Sequence, residues 1–471
     1  MRYVLSLLES SLGLAVIAMV ISCGVLAVSY FVFRRIHNGK KCFPWGKALL
    51  GIFFAGYLGV LLYATILRGR GYYQGQMNLH IFRAWKEAWN QFTVQSWANL
   101  LLNIALFIPV GFFLPLLWKK ARAWYITIPL GFSLTIVIEL LQLITGRGLF
   151  DVDDLLCNLV GAIIGFLFIS FLISFRKQKG ERKKPALIYG ISTFLLVLVI
   201  LGVFPVYALQ EYGNLSCAPS YTQNVQNVKW NLDCQLPDGK TQLPTYQSQK
   251  RTKKDCDQFA REFVQGLGLN FSDFDIMYYN DSAYYTYQGA SHQYHFLMVD
   301  YKGTGYEYSW GYSDRDAAEP VWVEGTRLEL EKALKPYPVM VPEYAEFSYK
   351  KDGYAEFKVD KHLDGAVMVD GLIRCRYADD HTVRKIENKL DSYIHYDFEN
   401  VITPEQALTK LKQGHFQEES FAYSLPKEVD INACTLSYEI DSKGFYQPVY
   451  VFQIQFDEIE IPLSVKIPAI L

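Results

Sequence analysis

Apolar residues crowd the first part of the chain in six runs long enough to cross a bilayer, at roughly 10–33, 47–67, 97–118, 124–145, 153–175 and 186–209. After about residue 210 the apolar runs shorten and begin to alternate with polar positions, as half-buried strands do. The pattern predicts a polytopic α-helical membrane domain of six helices followed by an α+β domain. The first run follows Glu9 without a small-residue cleavage site, so it reads as a retained helix rather than a signal peptide.

In the second half, Asp255 with Gln258 reads as a capping-box start for a helix near 255–266, stopped by Gly266 and Gly268. FLMVDYKG from 296, YEYSWGYS from 306 and YAEFKVD from 354 read as strands, with a helix near 325–335 and a hairpin-like KKDG turn at 350–353 between them. Thr403, Pro404, Glu405 and Gln406 supply an N-cap, a proline at the first helical position and a capping-box partner, opening a helix to about Lys412 with Gly414 behind it. CTLSYEID from 434, PVYVFQIQF from 448 and EIPLSVKIPAI from 460 then alternate as three antiparallel strands. The expected organisation is a first helix and cytoplasmic loop at 1–44, a transmembrane domain at 45–175, a basic loop and sixth helix at 176–209, an extracytoplasmic α+β region at 210–400 and a helix-plus-meander module at 401–471.

Composition sharpens this division. Hydrophobic residues make up 51% and charged ones 20%, yet mean hydropathy is only +0.07, too low for a chain that is membrane throughout. The net charge of −1 leaves the chain as a whole without a nucleic-acid footprint. Loops after the first, third and fifth runs carry fourteen Lys and Arg, against six on the opposite side. The positive-inside bias therefore predicts a multi-pass protein of the cell membrane with both termini extracytoplasmic. Of eight cysteines, Cys217, Cys234, Cys256, Cys375 and Cys434 fall in the external part. Their odd number leaves one thiol free or paired between chains, and Cys217 with Cys234 is the first pairing to weigh because its loop is short.

The stretch IELLQLITGRGLFDVDDLLCNLVGAIIG, from 138 to 165, sets ionisable groups against the most apolar part of the chain. Such groups are expensive in a bilayer and either pair or face a cavity. Thr135, Glu139 and Gln142 share one stripe of the fourth run; Asp151, Asp154, Asn158, Gly161 and Gly165 share a face of the fifth. Gly161 and Gly165 make a small-xxx-small pair for helix packing. The third run adds Ser96, Asn99 and Asn103, followed by Pro109, Gly111 and Pro115, which would kink it or loosen its ladder. The third to fifth runs are thus expected to enclose one outward-opening pocket. Asn99, Gln142, Arg147 and the three aspartates would sit near the outer interface, with Glu139 and Asn103 about one turn deeper.

Three chemistries suit this set: binding a zwitterionic or phosphate-bearing head group, holding a divalent cation through Asp151, Asp153 and Asp154, or relaying protons. A self-satisfied network, with Arg147 neutralising Asp151 or Asp154 and Glu139 bonding Gln142 or Asn103, is the structural alternative. No His, Ser or Cys stands as an evident nucleophile, so an intramembrane hydrolase or transferase acting on a lipid-linked precursor is the weakest reading, and no cofactor or resident metal is expected. In the external part His292 and His295 near Asp300 lack a zinc spacing, and the load of 33 Tyr and 31 Phe suits sheet packing better than a glycan platform.

These blocks carry a resemblance. NLLLNIALFIPVGFFLP at 99–115, the stretch from 138 to 166 and the upstream YATILRGR ending at Arg70 are similar to the VanZ-like family of small membrane proteins, over roughly 45–175. Where such proteins tend to have an Asn, Pro, Phe run, this chain has Asn78, Leu79, His80, Ile81 and Phe82. The resemblance implies a role in the Gram-positive envelope or in resistance to teicoplanin-type glycopeptides, with membrane lipids, a cell-wall precursor or the glycopeptide as partners and Arg68 and Arg70 adding cations near the mouth. The last seventy or so residues, with ITPEQALTKLKQGHF and a terminal IPAIL, resemble YycH/YycI-type external regulatory proteins, which implies docking on a membrane kinase or wall enzyme. A membrane-anchored extracytoplasmic sensor or regulatory module is therefore the alternative function.

Overall fold

The computed structural model describes residues 2–36, 43–67, 76–176, 183–279, 281–289, 292–312, 320–350, 353–364, 366–417, 426–456 and 462–471. Arg68, Arg70, Cys42 and the tip of the KKDG turn lie outside these residues. Two compact units divide the chain, Met1–Glu211 and Tyr212–Leu471.

The first unit is helical. Its helices are α1 (Arg2–Ile36), α2 (Trp45–Leu62, continued as a π-helical turn Tyr63–Leu67), α3 (Arg83–Gln91), α4 (Val94–Leu117), α5 (Trp124–Thr145), α6 (Val152–Arg176), α7 (Lys183–Leu201) and α8 (Val203–Leu209). Two short strands, β1 (Met77–Asn78) and β2 (Phe150–Asp151), pair in parallel. Six helical segments among the described residues are long and apolar enough to cross a membrane. Their outward surfaces remain apolar, with Phe53, Ile144 and Val199 each more than 60% exposed, which is unfavourable in water and suits a lipid surround. Half of the apolar window of α6 is buried against protein and none of that of α1, which makes α6 the hub.

Local chemistry explains the helix ends. Thr93 caps α4 by accepting the Ser96 N–H at 3.2 Å, and α4 continues through Pro109 and Pro115 without a break. Gly146, at φ 65°, closes α5 in the left-handed conformation that favours glycine. Helix α3 was not anticipated. Its sequence RAWKEAWNQ is too polar to read as a span, and its ends are held by residues distant in sequence.

The second unit is built on one long sheet: β3 (Lys229–Leu232), β4 (Gln242–Ser248), β5 (Asp275–Tyr278), β6 (Ser282–Gln288), β7 (Gln293–Asp300), β8 (Tyr306–Tyr312), β9 (Glu346–Tyr349), β10 (Ala355–Asp364), β11 (Val367–Tyr377), β12 (Val383–Asn388), β13 (Asp391–Asn400), β14 (Glu428–Ile440), β15 (Phe445–Gln455) and β16 (Leu463–Pro468). The order runs β3-β14-β15-β4-β13-β11-β12-β8-β7-β6-β5, with β16 on β15, β10 on β11 and β9 on β10. Helices α9 (Lys253–Gly266) and α10 (Arg327–Leu334) bury one face on a core that includes Tyr285, Tyr308, Phe357 and Ile373. Helix α11 (Pro404–Lys412) covers a second core around Phe416, Val429, Phe452 and Ile467. The fold is thus a helical membrane domain plus an α+β domain.

Three expectations change. The capping box of α9 is Thr252 with Asp255, not Asp255 with Gln258: the Asp255 carboxylate accepts the Thr252 N–H at 2.7 Å, and Gln258 instead bonds Glu262 at 3.0 Å. The terminal meander is not a free module, because β15 also pairs with β4 through Phe445↔Gln247 and Tyr446↔Tyr246, and the ladder runs across residue 401. Cys217 and Cys234 are both free thiols. Cys217 packs with Leu215 and Val449, whereas Cys234 packs against the core beneath α11, so the shortest spacing does not bring the pair together.

Candidate functional site

The polar residues of the membrane unit divide into two groups on opposite sides of the α4–α6 contact. That contact is close because it is glycine-lined: a Cβ added at Gly161 or Gly165 of α6 would lie 2.0 Å from the carbonyl oxygens of Ile104 and Ile108, and one at Gly111 of α4 would lie 1.9 Å from Ala162 O. Backbones this near leave no room for a ligand between them.

The first group seals the α5 side. Asn158 donates from Nδ2 to Thr135 Oγ1 at 2.8 Å, with both side chains buried. Glu139, 2% exposed, accepts the Asp151 N–H on Oε2 at 3.2 Å. Gln142 donates from Nε2 to Thr65 O at 2.7 Å, a carbonyl in the π-helical turn, and its Oε1 is buried without a hydrogen-bond partner among the described residues. Arg147 is exposed and forms no ion pair among the described residues. The expected Arg147–aspartate neutralisation is therefore absent there, and Glu139 bonds a backbone amide rather than Gln142 or Asn103.

The second group lines a cavity of about 400 Å³, a size that suits a small molecule or a head group. Ala64 of the π-helical turn, Glu87 and Gln91 of α3, Ser96, Asn99 and Asn103 of α4, and Asp151 and Asp154 form its wall. Asn103 donates from Nδ2 to Asp154 Oδ1. Asp151 accepts two hydrogen bonds from Asn78 Nδ2, at 3.0 and 3.1 Å, and caps α6 by accepting the Asp153 N–H at 2.8 Å. Glu87 is paired with Arg83 at 2.7 Å, and Ser96 donates to Gln91 Oε1 at 2.8 Å, tying α3 to the start of α4. Of the eight ligand residues expected from the sequence, Asn99, Asn103, Asp151 and Asp154 reach this cavity; Glu139, Gln142, Arg147 and Asn158 do not. The pocket expected between the third, fourth and fifth spans lies instead between α2, α3, α4 and the start of α6, because the glycine contact closes the other side.

Asp153 explains how α3 is held. Fully buried, its carboxylate accepts the N–H groups of Phe82 at 2.6 Å and Ala84 at 2.7 Å, capping a helix that has no side-chain cap of its own. Phe82 at φ 65° and Phe92 at φ 44° bracket α3 in the left-handed region that bulky residues avoid. At the far end the Phe92 ring stacks on Tyr207 of α8, with centroids 3.3 Å apart and planes at 8°. Sequence reading missed Glu87, Gln91 and the capping role of Asp153. The available signal was Glu87 and Gln91 spaced i, i+4 between tryptophans and followed by the Ser96, Asn99, Asn103 face.

A bundle of helices apolar enough to cross a membrane, with a walled, carboxylate- and amide-lined cavity among them, fits a polytopic membrane protein. Residues 54–173, which run from the second half of α2 through α3, α4 and α5 to near the end of α6, match the family described as VanZ/LLP1, so the chain carries a VanZ-like domain. The match ends before the strand-rich unit. No curated protein matches the chain.

Proposed function

We propose that the VanZ-like domain binds the polar head of an envelope lipid or lipid-linked wall precursor in the α2–α3–α4–α6 cavity, and through it acts in envelope physiology or tolerance of teicoplanin-type glycopeptides. The carrying observation is the lining: three carboxylates, from Glu87, Asp151 and Asp154, with the amides of Gln91, Asn99 and Asn103 and the Ser96 hydroxyl. Arg147 lies off this wall, so no arginine among the lining residues is set to clamp a phosphate. Donor-rich heads, bearing hydroxyls or an ammonium group, match the carboxylates better. The excess of Lys and Arg in alternate loops supports both termini lying outside the cytoplasm, with the strand-rich unit facing the wall.

Mass spectrometry of lipids extracted from the purified protein tests this reading. A species with a hydroxyl- or amine-bearing head should be enriched over the bulk membrane and depleted from Asp154→Asn and Asn103→Leu proteins that are inserted normally. Identical lipid profiles for wild type and both variants would refute it.

A further inference from the structure

Strand β3 lies at one edge of the long sheet and joins β14 by a parallel ladder from Lys229↔Glu428 to Leu232↔Ile431. Asp233 carries the ladder on by donating its N–H to Ile431 O at 3.0 Å. Cys234 follows Leu232 by two residues, in a bend just past the end of β3. Cys434 follows Ile431 by three, but the β14–β15 register shifts between Ile431 and Ala433, so a bulge absorbs the extra residue. Cys434 is thereby brought to the face that Trp230, Val429 and Ile431 turn to the core beneath α11, and Cys234 packs against the same core. Adjacent strands run about 4.8 Å apart, inside the roughly 4.4–6.8 Å between Cα atoms that a disulfide bridges.

Cys234 and Cys434 are both free thiols in this structure; we infer that on oxidation they form a disulfide that fastens edge strand β3 to the terminal meander, an inference that rests on the extracytoplasmic placement proposed above. Burial first, and then the neighbouring Cys234, push the Cys434 thiol up to about 12, so the reduced pair is held as neutral thiols. Oxidation needs a disulfide-bearing oxidant, either a thiol–disulfide oxidoreductase or a small disulfide. One cysteine gives up its proton and attacks the oxidant's S–S bond to form a mixed disulfide. The second, losing its own proton, displaces the oxidant's remaining sulfur, and the oxidant leaves reduced by two electrons as two thiols. Cys256 and Cys375 are fully buried in the other core and Cys217 packs elsewhere, so these three stay reduced and the odd count is accounted for.

The test uses the full-length protein in two preparations digested without reduction. One is taken from cells with thiols alkylated at lysis. The other is purified, reduced and then exposed to oxidised glutathione. Both are expected to yield a peptide pair joining Cys234 to Cys434, lighter by two hydrogens than the reduced peptides, and Cys217→Ser should leave it in place. If only the glutathione-treated protein yields the pair, the register stands, the cellular disulfide is overturned, and outward placement fails with it once external protease spares the strand-rich unit in intact spheroplasts. Cys234 paired with Cys217, or both thiols still alkylatable after oxidation of a folded protein, would overturn the inference outright.

Discussion

Adding one methyl group at Gly161 tests whether the α4–α6 contact sets the geometry of the cavity. An alanine Cβ there meets Ile104 O at 2.0 Å, whereas a carbon and a carbonyl oxygen settle at about 3.3 Å or more. The helices must therefore part by roughly 1.3 Å, and overpacking of this kind costs about 1–3 kcal/mol. The same displacement pulls Asn103 of α4 from Asp154 of α6, and a lost hydrogen bond adds roughly 0.5–1.5 kcal/mol. Gly51→Ala is the control, because its Cβ meets nothing nearer than Leu117 Cδ2 at 4.0 Å, and Gly→Ala inside a helix gains about 1 kcal/mol. Thermal unfolding of the detergent-purified protein, at fixed detergent and protein concentration, should place Gly161→Ala well below wild type and Gly51→Ala at or above it. Gly165→Ala, 2.0 Å from Ile108 O, should behave like Gly161→Ala. Equal midpoints for Gly161→Ala and Gly51→Ala would show that the helices are not in backbone contact, and the account of why the cavity lies on the α3 side would fall with it.

Other expectations follow from single contacts. Asp153→Ala leaves two backbone N–H groups at the start of α3 without their acceptor, at roughly 1–3 kcal/mol each; amide exchange across residues 82–91 should accelerate while α6 stays protected, and unchanged exchange there would contradict the capping role. Tyr207→Ala removes the Phe92 stack, a pair worth about 0.5–1.5 kcal/mol beyond its buried area, and should loosen the same helix from its C-terminal end by the same measurement. In the strand-rich unit Glu356 is buried yet held below the usual carboxylate range: burial opposes this, but Arg374 at 2.7 Å and Lys350 at 3.0 Å outweigh it. A carboxyl depressed in the folded state stabilises above its unfolded value of 4.5, and that stability is lost as pH falls below it. The unfolding midpoint of this unit should therefore drop on acidification below 4.5, and Glu356→Gln should flatten the drop; a variant with the wild-type acid profile would remove Glu356 from the explanation.

What the sequence made legible was whatever depends on spacing within one element. The six apolar runs and the Thr403-Pro404 helix start need no partner to be read, and each takes its place in the structure. What escaped depends on partners far along the chain. Glu139 bonds the amide of Asp151, and backbone donors leave no mark in a residue pattern. Thr252 was overlooked because Asp255 can open one capping box or close another, and only the hydrogen-bonded pair decides between them. The meander alternated well enough to look self-contained, but its pairing with β4 joins residues about two hundred positions apart.

Helix α3 shows most plainly why the side of the cavity was misjudged. Seen alone it is a short, polar, uncapped segment bracketed by two strained phenylalanines, and an isolated helix of its length is not stable in water. It exists because Asp153 binds its first amides and Tyr207 stacks on its last turn, and both anchors belong to elements that follow it by about 70 residues or more. Asp153 is thus a structural residue next to two cavity-lining aspartates, so the three cannot all serve one cation as the spacing alone allowed. With Asp153 committed to α3, Asp151 to Asn78 and the cap of α6, and Asp154 to Asn103, each carboxylate is already oriented by protein donors. A wall oriented in this way is preorganised, so a head group entering it need not order the side chains that receive it.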